Sequence, residues 1–231
     1  LSTVSHELRS PLANIKMAIH LLEINLNRRR LSPSDSDVDS QSQRIEQYLG
    51  ILREECDQEL NLVNNLLDLQ RLEAERTPIE LTSIKVGEWI AQITQAYQER
   101  IQERQQQLDV FLPSPLPILV SDVSILTRSV TELLTNACKY TPPGEVITVS
   151  AESLGERLKL VIRNSGVEIP EEELPRIFDK FYRVPISDRW NQGGTGLGLT
   201  LVKKQITYLG GSIYAESSAN EVRFVIELPF N

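Results

Sequence analysis

The sequence lacks a long apolar run, has few cysteines, and carries fewer basic than acidic residues. No stretch approaches the ~18 apolar residues of a membrane span, and no signal peptide opens the chain. Lys and Arg number 24 against 32 Asp and Glu, a net charge of −8, so the basic surface that nucleic-acid binding needs is missing. We therefore expect no nucleic-acid partner and no membrane contact within this segment.

Only two cysteines occur, Cys56 and Cys138, which excludes a disulfide framework. Each lies in an apolar helical pattern, so both are predicted to be small buried hydrophobic residues. A reducing, cytoplasmic location is the expectation. Because the chain opens at Leu1 inside a predicted helix, we interpret it as part of a longer protein, which a membrane anchor elsewhere could still tether.

The first third of the chain has the periodicity of two long helices. Apolar residues recur every three or four positions over residues 1–26 and again from Ile45 to Leu67. The polar segment at residues 27–44 is predicted to be a loop, and the residue before Pro78 marks the end of the helical region. Two helices joined by one loop form a helical hairpin.

A hairpin alone leaves apolar positions of the first helix uncovered. Met17, Leu21 and Ile24 lie off its main stripe. A second copy of the hairpin would cover them, which predicts a homodimer built on a four-helix bundle. The alternative is that the second domain of the same chain covers them.

Beyond residue 77 the pattern changes to short strands between helices. Helices are predicted at residues 86–106, 123–139 and 197–209, and a strand at residues 108–112. Apolar and polar residues alternate in EVITVSAESL and ERLKLVIRN, which predicts two neighbouring strands. The same alternation predicts a closing hairpin in SIYAES and EVRFVIEL. Helices segregated from a mostly antiparallel sheet form an α/β sandwich of the α+β class. We predict two domains, a helical hairpin at 1–76 and the sandwich at 77–231.

One histidine is placed to react. His6 lies roughly 160° around the predicted helix from the stripe through Val4 and Leu8, so it points away from the seam. A neutral imidazole is a good nucleophile near pH 7, and the adjacent Glu7 can hold the ring and accept its proton. Position alone does not single out His6, because His20 falls within about 40° of the same face.

The segment ELLTNACKYTPPG places a carboxylate, an amide and an ammonium on one helix face, at Glu132, Asn136 and Lys139. An amide oxygen can ligate a hard cation, and a lysine can neutralise phosphate, so this face suits a metal–phosphate group. The alternative interpretation is a solvated helix face.

The segment GGTGLGLTLVKK carries four glycines, at 193, 194, 196 and 198, just before a predicted helix. Such a loop exposes backbone N–H groups and lets phosphate oxygens approach closely. It is neither a P-loop nor a dinucleotide fingerprint, because no GK[ST] follows and no strand precedes it. A mobile glycine hinge is the alternative.

Taken together, these segments resemble the transmitter core of sensor histidine kinases. STVSHELRSPL is similar to the phospho-acceptor box, ELLTNACKYTP to the asparagine box, and VIRNSGVEIP to the first glycine box. LPRIFDKFYRV resembles the phenylalanine box, with Phe178 and Phe181, and GGTGLGL the second glycine box. Five motifs in the family's order cover nearly all of the chain.

The resemblance implies an ATP-dependent protein-histidine kinase that phosphorylates itself and passes the phosphoryl group to an aspartate on a response-regulator receiver domain. His6 takes the phosphorylated position with Glu7 beside it, and Asn136 the position that ligates Mg²⁺. The other residues implied to bind ATP are Lys139, Tyr140, Asn164, Gly166, Gly194, Thr195, Gly196, Leu197 and Gly198. Residues 183–195 correspond to a lid over the nucleotide.

Two positions depart from the first glycine box, which usually runs Asp-x-Gly-x-Gly. Asn164 replaces the aspartate that accepts a hydrogen bond from adenine, and a neutral acceptor gives a weaker bond. Glu168 replaces the second glycine, which costs roughly 1–2 kcal/mol if that position needs positive φ. The alternative function is therefore a non-catalytic dimeric scaffold with a degenerate nucleotide domain. A third, an ATPase of the topoisomerase and chaperone superfamily, is disfavoured by SHELRSP ahead of the nucleotide domain.

Overall fold

A computed structural model describes residues 12–22, 24, 38–74, 78–113, 116–185 and 195–230. The chain divides into two compact units, Leu1–Leu67 and Asp68–Asn231. This division falls inside a continuous helix, so the last turns of that helix belong with the second unit. The described residues contain no helix that is long and apolar enough to cross a membrane.

The first unit is helical. Residues 12–22 form α1, and α2 runs over Val38–Glu73. Asn14 Nδ2 on α1 donates a hydrogen bond to Glu55 Oε1 on α2 at 2.9 Å. Helix α2 begins earlier than predicted, because residues 38–43 are helical although their Ser, Asp and Gln side chains were assigned to the loop. Ser, Asp and Gln residues give no apolar period, so periodicity cannot detect a helix in this segment.

Apolar side chains remain exposed on both helices of the first unit. Ala18 and Leu62 are buried, but a set of large apolar side chains is 40–64% exposed. This set, called here the exposed apolar face, comprises Leu12, Met17, Ile19, Ile24, Leu49, Leu60, Val63 and Leu67. Cys56 is also exposed in this chain, so its predicted burial is wrong, whereas Cys138 is buried as predicted.

The second unit contains a sheet with helices packed against it. Its elements in chain order are β1 Thr82–Lys85, α3 Val86–Gln95, α4 Gln98–Glu103, β2 Gln107–Phe111, β3 Ile118–Ser121, α5 Val123–Tyr140, β4 Val146–Leu154, β5 Arg157–Ser165, α6 Gly198–Tyr208, β6 Ser212–Ser218 and β7 Glu221–Pro229. The helix predicted at 86–106 is divided into α3 and α4. The break follows from a tight turn in which Ala96 and Tyr97 donate to carbonyl oxygens three residues back.

Five strands form the main sheet in the order β2-β4-β5-β7-β6. Strand β2 pairs with β4 in parallel, and the other neighbours are antiparallel. The β6–β7 hairpin turns at Ala219 and Asn220, both at positive φ, as a two-residue hairpin turn of this type requires. Strands β1 and β3 form a separate two-stranded antiparallel sheet. The α/β architecture predicted from the sequence is confirmed for the second unit.

Helix α5, which carries the asparagine-box sequence, is fixed at both ends. At its start Asp122 Oδ1 accepts from the backbone N–H groups of Ser124 at 3.0 Å and Ile125 at 3.1 Å. At its end the buried amide of Gln106 donates to the carbonyl oxygens of Cys138, at 2.9 Å, and Thr141. Both side chains satisfy backbone groups that a helix end otherwise leaves open, so α5 is a rigid support for its polar face.

Candidate active site

The polar face of α5 is held by burial of its opposite side. Leu126, Val130, Leu133 and Leu134 are buried in the core of the second unit. Glu132, Asn136 and Lys139 remain partly exposed on the other side, as the spacing predicts. The Asn136 side chain is hydrogen-bonded to Glu132, which orients the amide. The three polar side chains therefore form one surface, called here the α5 polar face.

The start of α6 lies directly against this face. A Cβ atom at Gly198 would overlap the Glu132 carboxylate and would lie 2.7 Å from its carboxyl carbon. Only glycine therefore fits at the first residue of α6 while Glu132 keeps its position. The N-cap residue Leu197 provides no side-chain cap, so it satisfies none of the N–H groups of the first turn. Such N–H groups attract anions.

The loop before α6 requires a second glycine. Gly196 has φ +65°, and a Cβ there would lie 2.8 Å from the backbone of Phe181. Phe181 N donates to Gly196 O at 2.9 Å, and Phe181 itself has φ +63°. Phe178, three residues earlier, is buried and meets Phe224 edge-on at 6.5 Å. The phenylalanine-box segment thus supports the backbone of the glycine loop.

The first glycine-box segment lies at the end of β5. Gly166 has φ +76°, and a Cβ there would lie 2.6 Å from Glu145 and 2.9 Å from Pro142. Pro142 follows Tyr140 by two residues, so this turn lies beside the end of α5. Glu168 is exposed and is not among the described residues with positive φ, so the strain considered for this position does not arise.

Burial shifts the pKa values of both charged groups on the α5 polar face. Burial raises the pKa of Glu132, and the positive charges of Arg128 and Lys139 and the hydrogen bond with Asn136 oppose this shift. Burial lowers the pKa of Lys139 to about 8; the charge of Arg183 adds to this shift and Glu132 opposes it. The Lys139 ammonium lies 5.1 Å from the centre of the Tyr140 ring. A phosphate group would favour the charged lysine.

Comparison with known proteins decides the family. Residues 1–75 match the family model of the His Kinase A (phospho-acceptor) domain. Residues 121–231 match that of the histidine kinase-, DNA gyrase B- and HSP90-like ATPases. The chain belongs to the histidine kinase family.

Named relatives agree with this assignment. Sensor histidine kinase CusS of Escherichia coli O157:H7 is 29% identical over 226 residues, which are 98% of this chain and 44% of CusS. The circadian input-output histidine kinase CikA of Synechococcus elongatus is 30% identical over 223 residues, 96% of this chain and 28% of CikA. This histidine kinase chain thus spans less than half the length of these curated relatives.

A solved structure shares the fold of this histidine kinase. The histidine kinase ThkA in complex with the response regulator protein TrrA matches with a TM-score of 0.73 at 21% identity, over 100% of this chain and 60% of that chain. The predicted order, a helical phospho-acceptor region followed by an α/β ATPase-type domain, is confirmed.

The structure of this histidine kinase brings together most of the residues singled out from its sequence. Asn136, Lys139 and Tyr140 lie at the end of α5, Gly198 contacts its polar face, and Gly166 turns beside its end. Thr195 precedes Gly196 and accepts from Leu197 N through its hydroxyl at 3.4 Å, while the Leu197 side chain is fully buried. His6, Glu7 and Gly194 lie outside the described residues.

The sequence motifs did not reveal two ion pairs in the second unit of this histidine kinase. Arg128 stands one helical turn before Glu132 and pairs with Asp68, near the end of α2. Lys180, in the phenylalanine-box segment, pairs with Glu73 at 2.7 Å. The spacing of Arg128 and Glu132 is a local signal that could have been noticed. The other pairings join residues far apart in sequence, which no local pattern reveals.

No cluster of three His, Cys, Asp or Glu side chains that could hold a metal ion occurs in the described ranges. Asn136 offers a neutral amide oxygen, while its amide nitrogen donates to the partly exposed carboxylate of Glu132. This donor set fits an octahedral cation that takes one or two protein ligands and completes its shell with phosphate oxygens and water.

Proposed function

We propose that this chain binds Mg²⁺-ATP between α5 and α6 and transfers its γ-phosphoryl group to His6. The observation that supports this most directly is the contact of Gly198 with Glu132, which sets the uncapped start of α6 beside the α5 polar face. Exposed N–H groups, a lysine and an amide on facing elements suit a polyphosphate and its cation.

In this proposal Asn136 supplies an oxygen ligand to Mg²⁺, and its hydrogen bond with Glu132 holds the amide in place. Bound Mg²⁺ neutralises negative charge on the phosphates. Lys139 and Tyr140 approach the phosphates from the end of α5. Backbone groups of the second glycine box surround the phosphates, at Gly194, Thr195, Gly196, Leu197 and Gly198. Asn164 and Gly166 line the base end of the pocket.

The chemistry proposed for His6 is nucleophilic substitution at phosphorus. An imidazole nitrogen bonds to the γ-phosphorus as the bond to the bridging oxygen breaks and ADP leaves. Glu7 accepts the proton that the imidazole releases. The phosphoryl group then passes to an aspartate on a response-regulator receiver domain, a partner supported by the ThkA–TrrA complex.

We also infer that the chain is a homodimer. The exposed apolar face spans both helices of the first unit, with side chains as exposed as Leu60 at 61% and Met17 at 64%. Large apolar side chains exposed in this number mark an interface. A second copy presents the same face, which fits the isologous contact of a four-helix bundle.

The boundary between the two domains is proposed at residues 76 and 77, because the architecture changes from helical to α/β in this part of the chain. A cytoplasmic location stays a prediction.

The test is incubation with ATP labelled at the γ-phosphate. We expect label on the chain that is lost in acid and retained in base, as a phosphoramidate requires. His6→Gln should abolish labelling without changing nucleotide affinity, whereas the matched His20→Gln variant should label normally. Nucleotide binding without any labelling would instead support the non-catalytic scaffold, and label retained in His6→Gln would refute the assignment of His6.

A further inference from the structure

Helix α5 ends without the glycine that commonly closes a helix. Its C-cap residue Thr141 has an extended backbone, with φ −72° and ψ 126°, and Pro142 follows it. Because no left-handed residue turns the chain back on the helix, its last carbonyl groups need partners from elsewhere. Gln106 supplies them. Its buried Nε2 donates to Cys138 O at 2.9 Å and to Thr141 O.

The two carbonyl groups that Gln106 holds lie on either side of the residues proposed to contact the phosphates. Cys138 directly precedes Lys139, and Thr141 directly follows Tyr140. One side chain therefore fixes the backbone before and after this pair. Side chains that are held in position before a ligand arrives lose less entropy when it binds.

The turn that carries Gln106 is fixed to the same part of the chain through its backbone. Gln105 has φ +56°, a conformation that costs free energy in a residue other than glycine. Its carbonyl oxygen accepts from Gly144 N at 2.7 Å, and Gln107 N donates to Glu145 O at 3.0 Å. These bonds hold the strained turn against the segment that follows α5, which places the Gln106 amide at the helix end.

The structure uses only the donor side of the Gln106 amide. The residue is 6% exposed, and its Oε1 has no hydrogen-bond partner among the described residues. A buried acceptor that is left open lowers stability. Stability alone therefore does not explain an amide at this position, whereas the two bonds from its nitrogen to the end of α5 do.

We propose that Gln106 is a positioning residue for nucleotide binding, which holds Lys139 and Tyr140 where they contact the phosphates and does not itself contact the nucleotide. This inference rests on the proposed function. Because Gln106 is buried, it acts through the backbone of α5. Without its two hydrogen bonds the last turn of the helix frays, and the entropy of ordering both side chains is then lost on binding.

The charge state of Lys139 reports whether this arrangement is intact. Burial lowers its pKa to about 8; the charge of Arg183 adds to this shift, Glu132 opposes it, and Arg104 adds to it. Arg104 lies in the braced turn, two residues before Gln106. Fraying of the last turn admits water and returns the pKa of Lys139 toward the 10.5 of the free side chain. The pH dependence of binding therefore separates lost positioning from a general loss of stability.

The experiment is Mg²⁺-ATP calorimetry on the full chain and on Gln106→Met at pH 7.5 and pH 9. Methionine is similar in length but has no N–H donors. We expect the affinity at pH 7.5 to fall roughly 5–50-fold, because two side chains must now be ordered on binding. Between the two pH values the parent affinity should fall up to about eightfold. That of Gln106→Met should fall less than about twofold, because a lysine with an ordinary pKa stays charged.

Gln205→Met is the matched control. Gln205 is also a buried amide, 4% exposed, but its Oε1 accepts from Ser129 Oγ at 2.9 Å, away from the end of α5. The same substitution there should lower stability, which urea unfolding measures, and keep the pH profile of the parent. Gln106→Asn is a milder second variant in case Gln106→Met does not fold. Its amide is one methylene group too short to reach both carbonyl oxygens, so it should change affinity and pH profile in the same direction.

Either an unchanged affinity or an unchanged pH profile in the Gln106 variants would overturn the proposal, as would the same two changes in Gln205→Met. These outcomes are distinct from failure of the proposed function. Binding that depends on Gln106 without label on His6 would remove phosphoryl transfer and sustain the positioning role. Label on His6 with equal affinities in the Gln106 variants would do the opposite. A parent chain that binds no Mg²⁺-ATP would refute both.

Discussion

The carboxylate of Glu132 occupies the space that a side chain at residue 198 would need. Residue 198 opens α6 and Glu132 lies in the middle of α5, so the glycine fixes how closely these two helices meet. The same carboxylate is hydrogen-bonded to Asn136. A change at residue 198 is therefore a change to the orientation of the proposed metal ligand.

Gly198→Ala should lower both stability and nucleotide affinity. The added methyl group forces the Glu132 side chain to move, and loss of its hydrogen bond with Asn136 costs about 0.5–1.5 kcal/mol. Urea unfolding and Mg²⁺-ATP calorimetry measure the two effects. The control is Gly87→Ala, where nothing lies within 4 Å of an added Cβ, and stability should rise by up to about 1 kcal/mol. Equal responses of the two variants would contradict the proposed overlap.

The affinity for Mg²⁺-ATP should fall as the pH rises through about 8, because burial lowers the pKa of Lys139 to about 8. From the Henderson–Hasselbalch relation, the charged fraction of this lysine decreases about eightfold between pH 7.5 and pH 9. Calorimetry across this range should show a fall of up to that size. Lys139→Arg keeps its charge and should remove the pH dependence. An identical profile in that variant would exclude Lys139 as its source.

The same lysine has a consequence for stability without nucleotide. Its folded-state pKa of about 8 lies below the 10.5 of the free side chain, so the unfolded chain binds more protons between these values. Stability should therefore rise with pH from about 8 to 10.5 by this contribution. Lys139→Met should flatten that part of the unfolding profile, and a profile that stays as steep would show that other groups cause it.

Local patterns predicted the strands β4 to β7 and helices α5 and α6, because each has a clear apolar period. They did not predict β1 and β3, which have four residues each and pair across a separation of 39 positions at Thr82 and Ser121. The motifs supplied the side chains that are proposed for the site. The overlap of Glu132 with Gly198 and the low pKa of Lys139 depend on packing between distant segments, which one-dimensional spacing does not contain.

Cys56 illustrates the same limit on the helical side. Its position in an apolar stripe predicted burial, yet it is exposed along with Leu49, Leu60 and Leu67. Periodicity shows that a face is apolar. It does not show whether the same chain or another copy covers that face.

Two ion pairs at the end of α2 should differ in strength. Asp68, with 19% of its side chain exposed, pairs with Arg128, whereas Glu73 and Lys180 are 42% and 47% exposed. Double-mutant cycles with Asp68→Asn and Arg128→Gln should give a coupling of about 1 kcal/mol, and the Glu73–Lys180 cycle less than about 0.5 kcal/mol. Repeating both cycles at 0.5 M NaCl should weaken the more exposed pair more. A stronger coupling for Glu73–Lys180 would contradict this order.

Glutamate on the exposed apolar face should break the proposed dimer. Leu60→Glu places a charge at a side chain that is 61% exposed in one chain, and symmetry repeats the change in the partner. Loss of two buried leucines at roughly 1.5–3 kcal/mol each should weaken dimerisation at least 100-fold. Analytical ultracentrifugation measures this. Leu81→Glu, at 65% exposed in the second unit, is the control and should stay dimeric. An unchanged dimer in Leu60→Glu would remove this face from the interface.

Asn136→Asp should impair the proposed metal–nucleotide site although it retains an oxygen ligand. The new carboxylate faces Glu132, so the hydrogen bond between these side chains is lost unless one of them takes up a proton. It also adds negative charge beside the polyphosphate. We expect calorimetry to show at least a tenfold loss of Mg²⁺-ATP affinity, as for a lost charge-assisted hydrogen bond of about 1.5–3 kcal/mol. The control is Gln102→Glu, which changes an exposed amide on α4 and makes the same change in net charge. This variant should bind Mg²⁺-ATP normally.

Because EDTA removes the cation, it should lower the ATP affinity of the parent chain more than that of Asn136→Ala, which has already lost the ligand. Equal sensitivity of those two proteins to EDTA would show that Asn136 does not bind the metal.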